Sequence, residues 1–307
     1  MLALLQTELI PRIPLDTWTQ NGVDWITANF DELFDFLTDA IDGFVGALNF
    51  VLISPPELLM VAILTAIAFF LASWRVALFT GLGLLFIISL GLWEESMITL
   101  ALVLAATVIS LIIGIPVGIV AAKSRGVEAA VRPILDFMQT MPAFVYLVPV
   151  VVLLSIGNPP ALIATVIFAM PPAVRLTMLG IQQVPKETVE AAQAFGATPW
   201  QTLLKVELPL SLRSIMAGVN QVIMLSLSMV VIAALAGAGG LGVTVLRGLG
   251  QLNVGTSFVG GVGIVILAVI LDRITRGMTR GMERDKGGFT KIFSRSRVKA
   301  EPGSSGG

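Results

Sequence analysis

The sequence predicts an all-α integral membrane protein with seven transmembrane helices, N-terminus outside and C-terminus inside. Three observations predict it. Of 307 residues, 56% are hydrophobic and only 13% charged, with a mean hydropathy of +0.92, which belongs to chains whose main solvent is lipid. Seven apolar runs carry no charged residue. When those runs are threaded alternately across a bilayer, 17 of the 19 Lys and Arg fall on one side. At about 20 residues per crossing of about 30 Å of hydrocarbon, 307 residues hold one helical bundle and leave no room for a large soluble domain.

Residues 1–56 read as an external N-terminal extension. The opening "MLALLQTEL" lacks a basic n-region and a long apolar core, so it is expected to persist rather than to be cleaved as a signal peptide. Farther on, Ile26, Phe30, Leu33, Phe34, Leu37, Ile41, Phe44, Val45 and Leu48 recur at three- and four-residue steps, while Asp24, Asp31, Asp35, Asp39 and Asp42 take the other face. This is an amphipathic helix, expected on the outer membrane surface or against the bundle. Packing element and docking site for an external partner both remain open.

The first two apolar runs, Leu58 to Trp74 and Val76 to Leu92, form a peripheral pair within 57–93. The third, Met97 to Ala122, contains Gly114, Pro116 and Gly118. The fourth and fifth, Ala143 to Ile156 and Ala161 to Val174, are short and carry Pro149, Pro171 and Pro172. Kinks, or extension into the flanks, are expected there. Ile215 to Ala236 and Val254 to Leu271 complete the set. Threaded N-out, the inside segments hold Arg75; Lys123, Arg125 and Arg132; Arg175, Lys186, Lys205 and Arg213; and nine basic residues from Arg273 to Lys299, leaving Arg12 and Arg247 outside. The tail at 277–307 is basic and suited to anionic headgroups, and its closing "EPGSSGG" reads as a linker without functional content.

Several chemistries are excluded. The chain has no Cys and no His, which removes thiolate nucleophiles, disulfides, ordinary zinc sites and a histidine proton relay. No metal site, catalytic residue or nucleic-acid partner is expected. A charge inside a span is costly and retained for work; the seven runs contain none, which argues against a proton- or sodium-coupled carrier. No phosphate-binding G-x-x-x-x-G-K-[ST] loop occurs, so energy is expected to enter from another molecule. "GAGGLG", Gly237 to Gly242, has the spelling of a dinucleotide loop. It follows an apolar run instead of a strand, and a re-entrant turn with closely packed backbones fits it better.

The segment from Pro185 to Pro209 is ordered and polar. Pro185 suits a helix start, "KETVEAAQAF" is helix-forming, and Gly196 stands where a C-cap prefers glycine. Thr198, Pro199 and Gln201 then spell an N-cap, a first-turn proline and a capping box, so a second helix is expected to run toward Pro209. Ala191, Ala192, Ala194 and Ala197 permit close approach around the hinge, and Phe195 and Trp200 are candidate anchors for a partner's groove. Residue chemistry alone leaves docking and intramolecular capping equally open.

The spacing of Glu190, Ala191, Ala192, Gly196, Val206, Leu208 and Pro209 resembles the EAA motif of permease subunits of binding-protein-dependent ABC importers. The likeness extends from Met97 to Arg276, within a core at 94–276 that resembles the five-helix, MetI-like core of type I importers. "MQTMPAFVYLVPVVVLLSIGNPP", "FAMPPAVRLTMLGIQQVP", "IMAGVNQVIMLSLSMVVIAALAGAGGLG" and "GGVGIVILAVILDR" look like the osmoprotectant branch, the ProW-type glycine betaine and proline betaine permeases. The resemblance implies a coupling loop at 185–210 that engages a separate ATPase through Glu190, Ala191, Ala192, Phe195, Gly196, Ala197, Thr198, Trp200, Leu208 and Pro209. It also implies a homodimer, two cytoplasmic ATPase subunits carrying ATP and Mg, an external substrate-binding protein, and a bacterial inner-membrane location. No cofactor belongs to this chain. Cargo expectations are a betaine first, then choline, trimethylamine N-oxide or histidine. Gln139, Thr140, Phe144, Tyr146, Asn220, Gln221, Ser226 and Ser228 are the candidates for a translocation pathway, each with ordinary packing as its alternative. A stand-alone osmolyte channel or secondary carrier and a membrane scaffold are the other readings.

Overall fold

A computed structural model describes residues 13–297, with side chains through Thr279. The opening "MLALLQTEL", Arg12 and the final Gly/Ser run therefore lie outside the described residues, as do the side chains of most of the basic tail. Every regular element among the described residues is helical.

Helix α1, Leu15–Ile53, is one long amphipathic helix with non-helical backbone at Phe30. Beyond that break Ile41, Val45 and Leu48 pack into a cluster with Leu102, Ala105, Ala106, Leu147, Ala161 and Leu162. The second half of the helix is thus seated on the bundle, which periodicity left open. It is also long and apolar enough to cross a membrane. Pro55 and Pro56 end it, since neither donates an amide to a continuing helix.

Helices α2, Glu57–Leu71, and α3, Trp74–Ser89, form a pair joined by Ala72 and Ser73, whose Oγ accepts the Val76 amide at 3.4 Å. At 15 and 16 residues they are shorter than a standard span at about 1.5 Å per residue. The pair leans on the last helix, where Gly277 meets Ala72 so closely that a Cβ would sit 2.3 Å from its side chain.

Helix α4, Trp93–Lys123, is the central element, with buried residues from Trp93 to Ala121. Its Gly114 and Gly118 lie against Ala173, Val174 and Thr177; a Cβ at Gly118 would be 2.7 Å from both Thr177 Cβ and the Val174 carbonyl oxygen. Small residues at this spacing let two helix backbones touch where hydrocarbon supplies no hydrophobic drive.

Helix α5, Arg125–Thr140, is amphipathic and capped by Ser124, and α6, Ala143–Leu154, follows at a bend of 95°. Helices α7, Asn158–Ala169, and α8, Pro171–Gln182, run together as one 25-residue candidate span. A short α9, Lys186–Ala194, and α10, Pro199–Thr202, lead through a π turn at Leu203–Glu207 into α11, Leu208–Ser228. Then come α12, Val230–Leu235, α13, Leu241–Gly250, and α14, Val254–Arg297.

Among the described residues, five helical stretches are long and apolar enough to cross a membrane, or six if α5 and α6 form one bent span. Against the seven expected runs, the differences have local causes. Caps and prolines keep α2 and α3 short, the fourth run lies beyond a sharp bend, and α1 joins the long apolar helices.

Candidate functional site

The polar segment after Gln182 builds a helix, a left-handed hinge and a second helix. Helix α9 closes in a Schellman arrangement: the Gly196 amide donates to the Gln193 carbonyl at 2.8 Å and the Ala197 amide to the Ala192 carbonyl at 3.1 Å. Gly196 has φ +83°, and no atom lies within 4 Å of where its Cβ would be. Glycine is needed here for backbone conformation, not for space. Thr198 Oγ1 accepts the Gln201 amide at 3.3 Å while Gln201 Oε1 accepts the Thr198 amide at 2.9 Å, a complete capping box.

This unit projects from the bundle. No residue of α9 is buried, Glu190 is exposed, and Ala191, Ala192 and Ala197 are exposed or half-buried. Phe195 is 93% exposed and Trp200 66% exposed, an unusual state for two large aromatic side chains. Leu208 and Pro209 are half-buried at the root of the loop.

The second helix does not stop near Pro209. It passes through the π turn, where the Leu208 amide reaches back to the Leu203 carbonyl, and continues to Ser228. A proline inside a helix lacks an amide and crowds the carbonyl four residues before it; widening the preceding turn relieves both problems. Two residues outside the expected set complete this region. Glu207, at the end of the π turn, is 5% exposed and ion-paired with Lys123 at the end of α4. Neither lies in a pattern that a single sequence shows, because 84 positions separate them.

A belt of polar contacts ties α5 to α8 nearby. Arg175 pairs with Asp136 at 2.6 Å, and Gln182 donates to Glu128 at 3.2 Å, while Glu128 also pairs with Arg132.

The pathway candidates divide into two groups. Gln139, Thr140, Phe144 and Tyr146 flank the bend between α5 and α6, with Gln139 and Tyr146 half-buried and Thr140 and Phe144 exposed. Asn220, Gln221, Ser226 and Ser228 lie on α11. Of these, Asn220 and Gln221 line an open cavity with Arg213, Thr275 and Arg276, whereas Ser226 is buried in helix packing and Ser228 returns its hydroxyl to the Met224 carbonyl at 2.9 Å. Two residues of the cavity wall, Asn220 and Arg276, belong to a polar cluster just beyond the last apolar run. Asp272, only 16% exposed at its side chain, accepts from Asn220 Nδ2 at 3.1 Å and from Arg276 Nε at 2.8 Å. It falls inside the apolar stretch Val254–Thr279.

"GAGGLG" forms the turn between α12 and α13. Gly237 and Gly240 have φ of +95° and +92°, and Cβ atoms there would lie 2.3 Å from Ile156 and 2.4 Å from Thr99 Oγ1. The Gly157 amide donates to the Ala236 carbonyl at 2.9 Å, and the Leu241 amide to Thr99 Oγ1 at 2.8 Å. The loop is filled by its own protein.

Comparison with known proteins identifies a family. The family described as binding-protein-dependent transport system inner membrane component matches residues 114–284. The glycine betaine/proline betaine transport system permease protein ProW of Escherichia coli (strain K12) is 47% identical over 268 residues, 87% of this chain and 76% of that protein. The glycine betaine transport system permease protein OpuAB of Bacillus subtilis (strain 168) is 48% identical over 269 residues, 88% of this chain and 95% of that protein. Among solved structures, an inward-facing conformation of the MetNI methionine ABC transporter aligns with a TM-score of 0.54 at 25% identity, covering 63% of this chain and 95% of that one.

Proposed function

The chain belongs to the family of binding-protein-dependent transport system inner membrane components, as a ProW-type permease of the type I importer fold in the bacterial inner membrane, and from that premise we propose that it carries glycine betaine or proline betaine inward at the expense of ATP hydrolysed on separate subunits. The chain itself is a permease subunit and not the ATPase. Two copies form the pathway, two ATPase subunits bind ATP and Mg below, and a binding protein delivers solute from outside.

The observation that carries the reading is the EAA spacing on an exposed helix, hinge and helix. Glu190, Ala191, Ala192, Phe195, Gly196, Ala197, Thr198 and Trp200 present a surface with aromatic anchors, and Leu208 and Pro209 join it to α11. A rigid, outward-facing apolar pair is what a groove on another subunit recognises. Residues 1–56 form the external extension, 57–93 the peripheral pair, 94–276 the permease core with its coupling loop at 185–210, and 277–307 the basic cytoplasmic tail. Seven spans, N-out and C-in, follow if α1 lies outside the count and α2 and α3 cross with help from their flanks. The Lys and Arg distribution supports that orientation.

For the pathway, Asn220 and Gln221 are the members of the candidate set best placed to meet a polar solute, since they line an open cavity. Gln139, Thr140, Phe144, Tyr146, Ser226 and Ser228 are assigned more weakly to it, Ser226 least because it is buried in packing. Choline, trimethylamine N-oxide and histidine are the alternative cargoes. Reconstitution with ATPase and binding protein tests the assignment: betaine-stimulated ATP hydrolysis and betaine uptake are expected, and Gly196→Val is expected to abolish the stimulation while leaving membrane insertion intact. Wild-type stimulation in that variant sinks the coupling role.

One observation favours a second reading, a secondary carrier. Asp272 places a carboxylate inside the last apolar stretch, where ionisable groups are usually functional. Betaine flux through liposomes holding only this chain is the outcome that supports it.

A further inference from the structure

The loop from Pro185 to Pro209 has an attachment to the bundle besides its own two ends. Glu207 lies at the last position of the π turn, between α10 and the half-buried start of α11, and its carboxylate reaches Lys123 Nζ across 84 positions of sequence. Its side chain is 6% exposed, and the Lys123 side chain is 45% exposed. An acidic side chain that deeply buried is seldom found without a partner, and here the partner is the terminal residue of α4.

The two ends of this bridge differ mechanically. Helix α4 carries buried residues from Trp93 to Ala121 and touches α8 backbone to backbone through Gly114 and Gly118. The π turn is the opposite. Its i→i+5 ring is wider than an α turn, Pro209 follows it with no amide to donate, and such turns are enriched at functional sites. A joint of this kind lets α10 tilt relative to α11. Without that tie, more of any displacement of α9 and α10 would be taken up at the joint and less would reach the spans.

We infer that the Lys123–Glu207 bridge locks this joint to α4, so that movement of the coupling loop displaces α4 and α11 together. Both are positioning residues. They touch neither ATP nor solute, and their role rests on the coupling assignment made above. Lys123 is placed for the task in a second way: a cation at the last turn of α4 also interacts favourably with the helix C-terminus, so the bridge is anchored at a fixed point. Thr202 is buried and lines the same cavity as Lys123 and Glu207.

The test uses the importer reconstituted in liposomes with its ATPase and binding protein, glycine betaine as the probe, and solute moved per ATP hydrolysed as the readout. Glu207→Gln is expected to assemble and to lower that ratio by about 2- to 30-fold, the range seen when residues on a coupling route are altered. The reversed pair, Lys123→Glu with Glu207→Lys, is expected to restore it. An unchanged ratio in an assembled Glu207→Gln complex, or a reversed pair that assembles without restoring the ratio, overturns the inference. If Glu207→Gln does not assemble, the doubly apolar variant Lys123→Met with Glu207→Met decides, because replacing both partners of a buried pair by apolar residues commonly preserves folding. A lowered ratio there supports the tie, and a wild-type ratio removes it. Gly196→Val separates the two levels: if it too leaves stimulation intact, the loop assignment falls, whereas silence of the bridge variants alone removes only the bridge.

Discussion

Replacing Gly196 by Ala, Asn and Val in turn isolates what the hinge requires. Gly196 holds φ at +83°, and nothing lies within 4 Å of a Cβ built on it. The cost of a side chain is therefore conformational, about 1–2 kcal/mol for an alanine in the left-handed region, and no steric overlap adds to it. Asparagine visits that region more readily and should recover much of the loss, while a β-branched valine should lose more. Since α9 contributes no buried residue, the bundle's melting temperature should scarcely move. The penalty falls on the fraction of loops in the geometry that docks, which drops by up to about 5- to 30-fold for alanine. Betaine-stimulated ATP hydrolysis, measured against ATPase concentration, should then require correspondingly more ATPase, in the order Gly, Asn, Ala, Val. Equal behaviour of Asn and Ala would refute the backbone explanation. A large fall in melting temperature would refute the claim that the hinge is independent of the core.

Two substitutions probe packing, and one set probes topology. Thr99→Val removes the hydroxyl that accepts the buried Leu241 amide at 2.8 Å, and should cost about 1–3 kcal/mol, read as a lower melting temperature in detergent. Gly118→Leu places side-chain atoms where even a Cβ would be 2.7 Å from the Val174 carbonyl oxygen, so it should cost about 1–3 kcal/mol or more, with reduced yield of folded protein. The natural sequence has no Cys, so single cysteines can be read without background. Cysteine at Phe195 should react with a membrane-impermeant thiol reagent only in inverted vesicles, and cysteine at Gly250 only in cells or spheroplasts; the reverse pattern overturns the N-out, C-in orientation.

Much of the proposed coupling loop is legible in the sequence, because its determinants are local. Thr198, Pro199 and Gln201 are within hydrogen-bonding reach of one another in any chain that begins a helix there, and Gly196 follows a helix-forming run at the position a Schellman closure needs. The spans showed themselves the same way, since lipid imposes a composition on about 20 consecutive residues regardless of what they pack against. Gln139, Thr140, Phe144 and Tyr146 illustrate the limit of that signal: polarity near a span end named them, but the bend of 95° between α5 and α6 decides which of them are covered.

The sequence by itself determined the membrane class, the loop's two helices and hinge, and the family spacing from Glu190 to Pro209. Tertiary structure decided that α1 is seated on the bundle through Ile41, Val45 and Leu48, that Asp272 meets Asn220 across 52 positions, and that buried Glu207 closes on Lys123. The division has a physical origin. Caps, turns and hydropathy act over a few residues and leave their pattern in order along the chain, whereas an ion pair or a helix seat needs two faces brought together by packing, and neither face carries a mark of its partner.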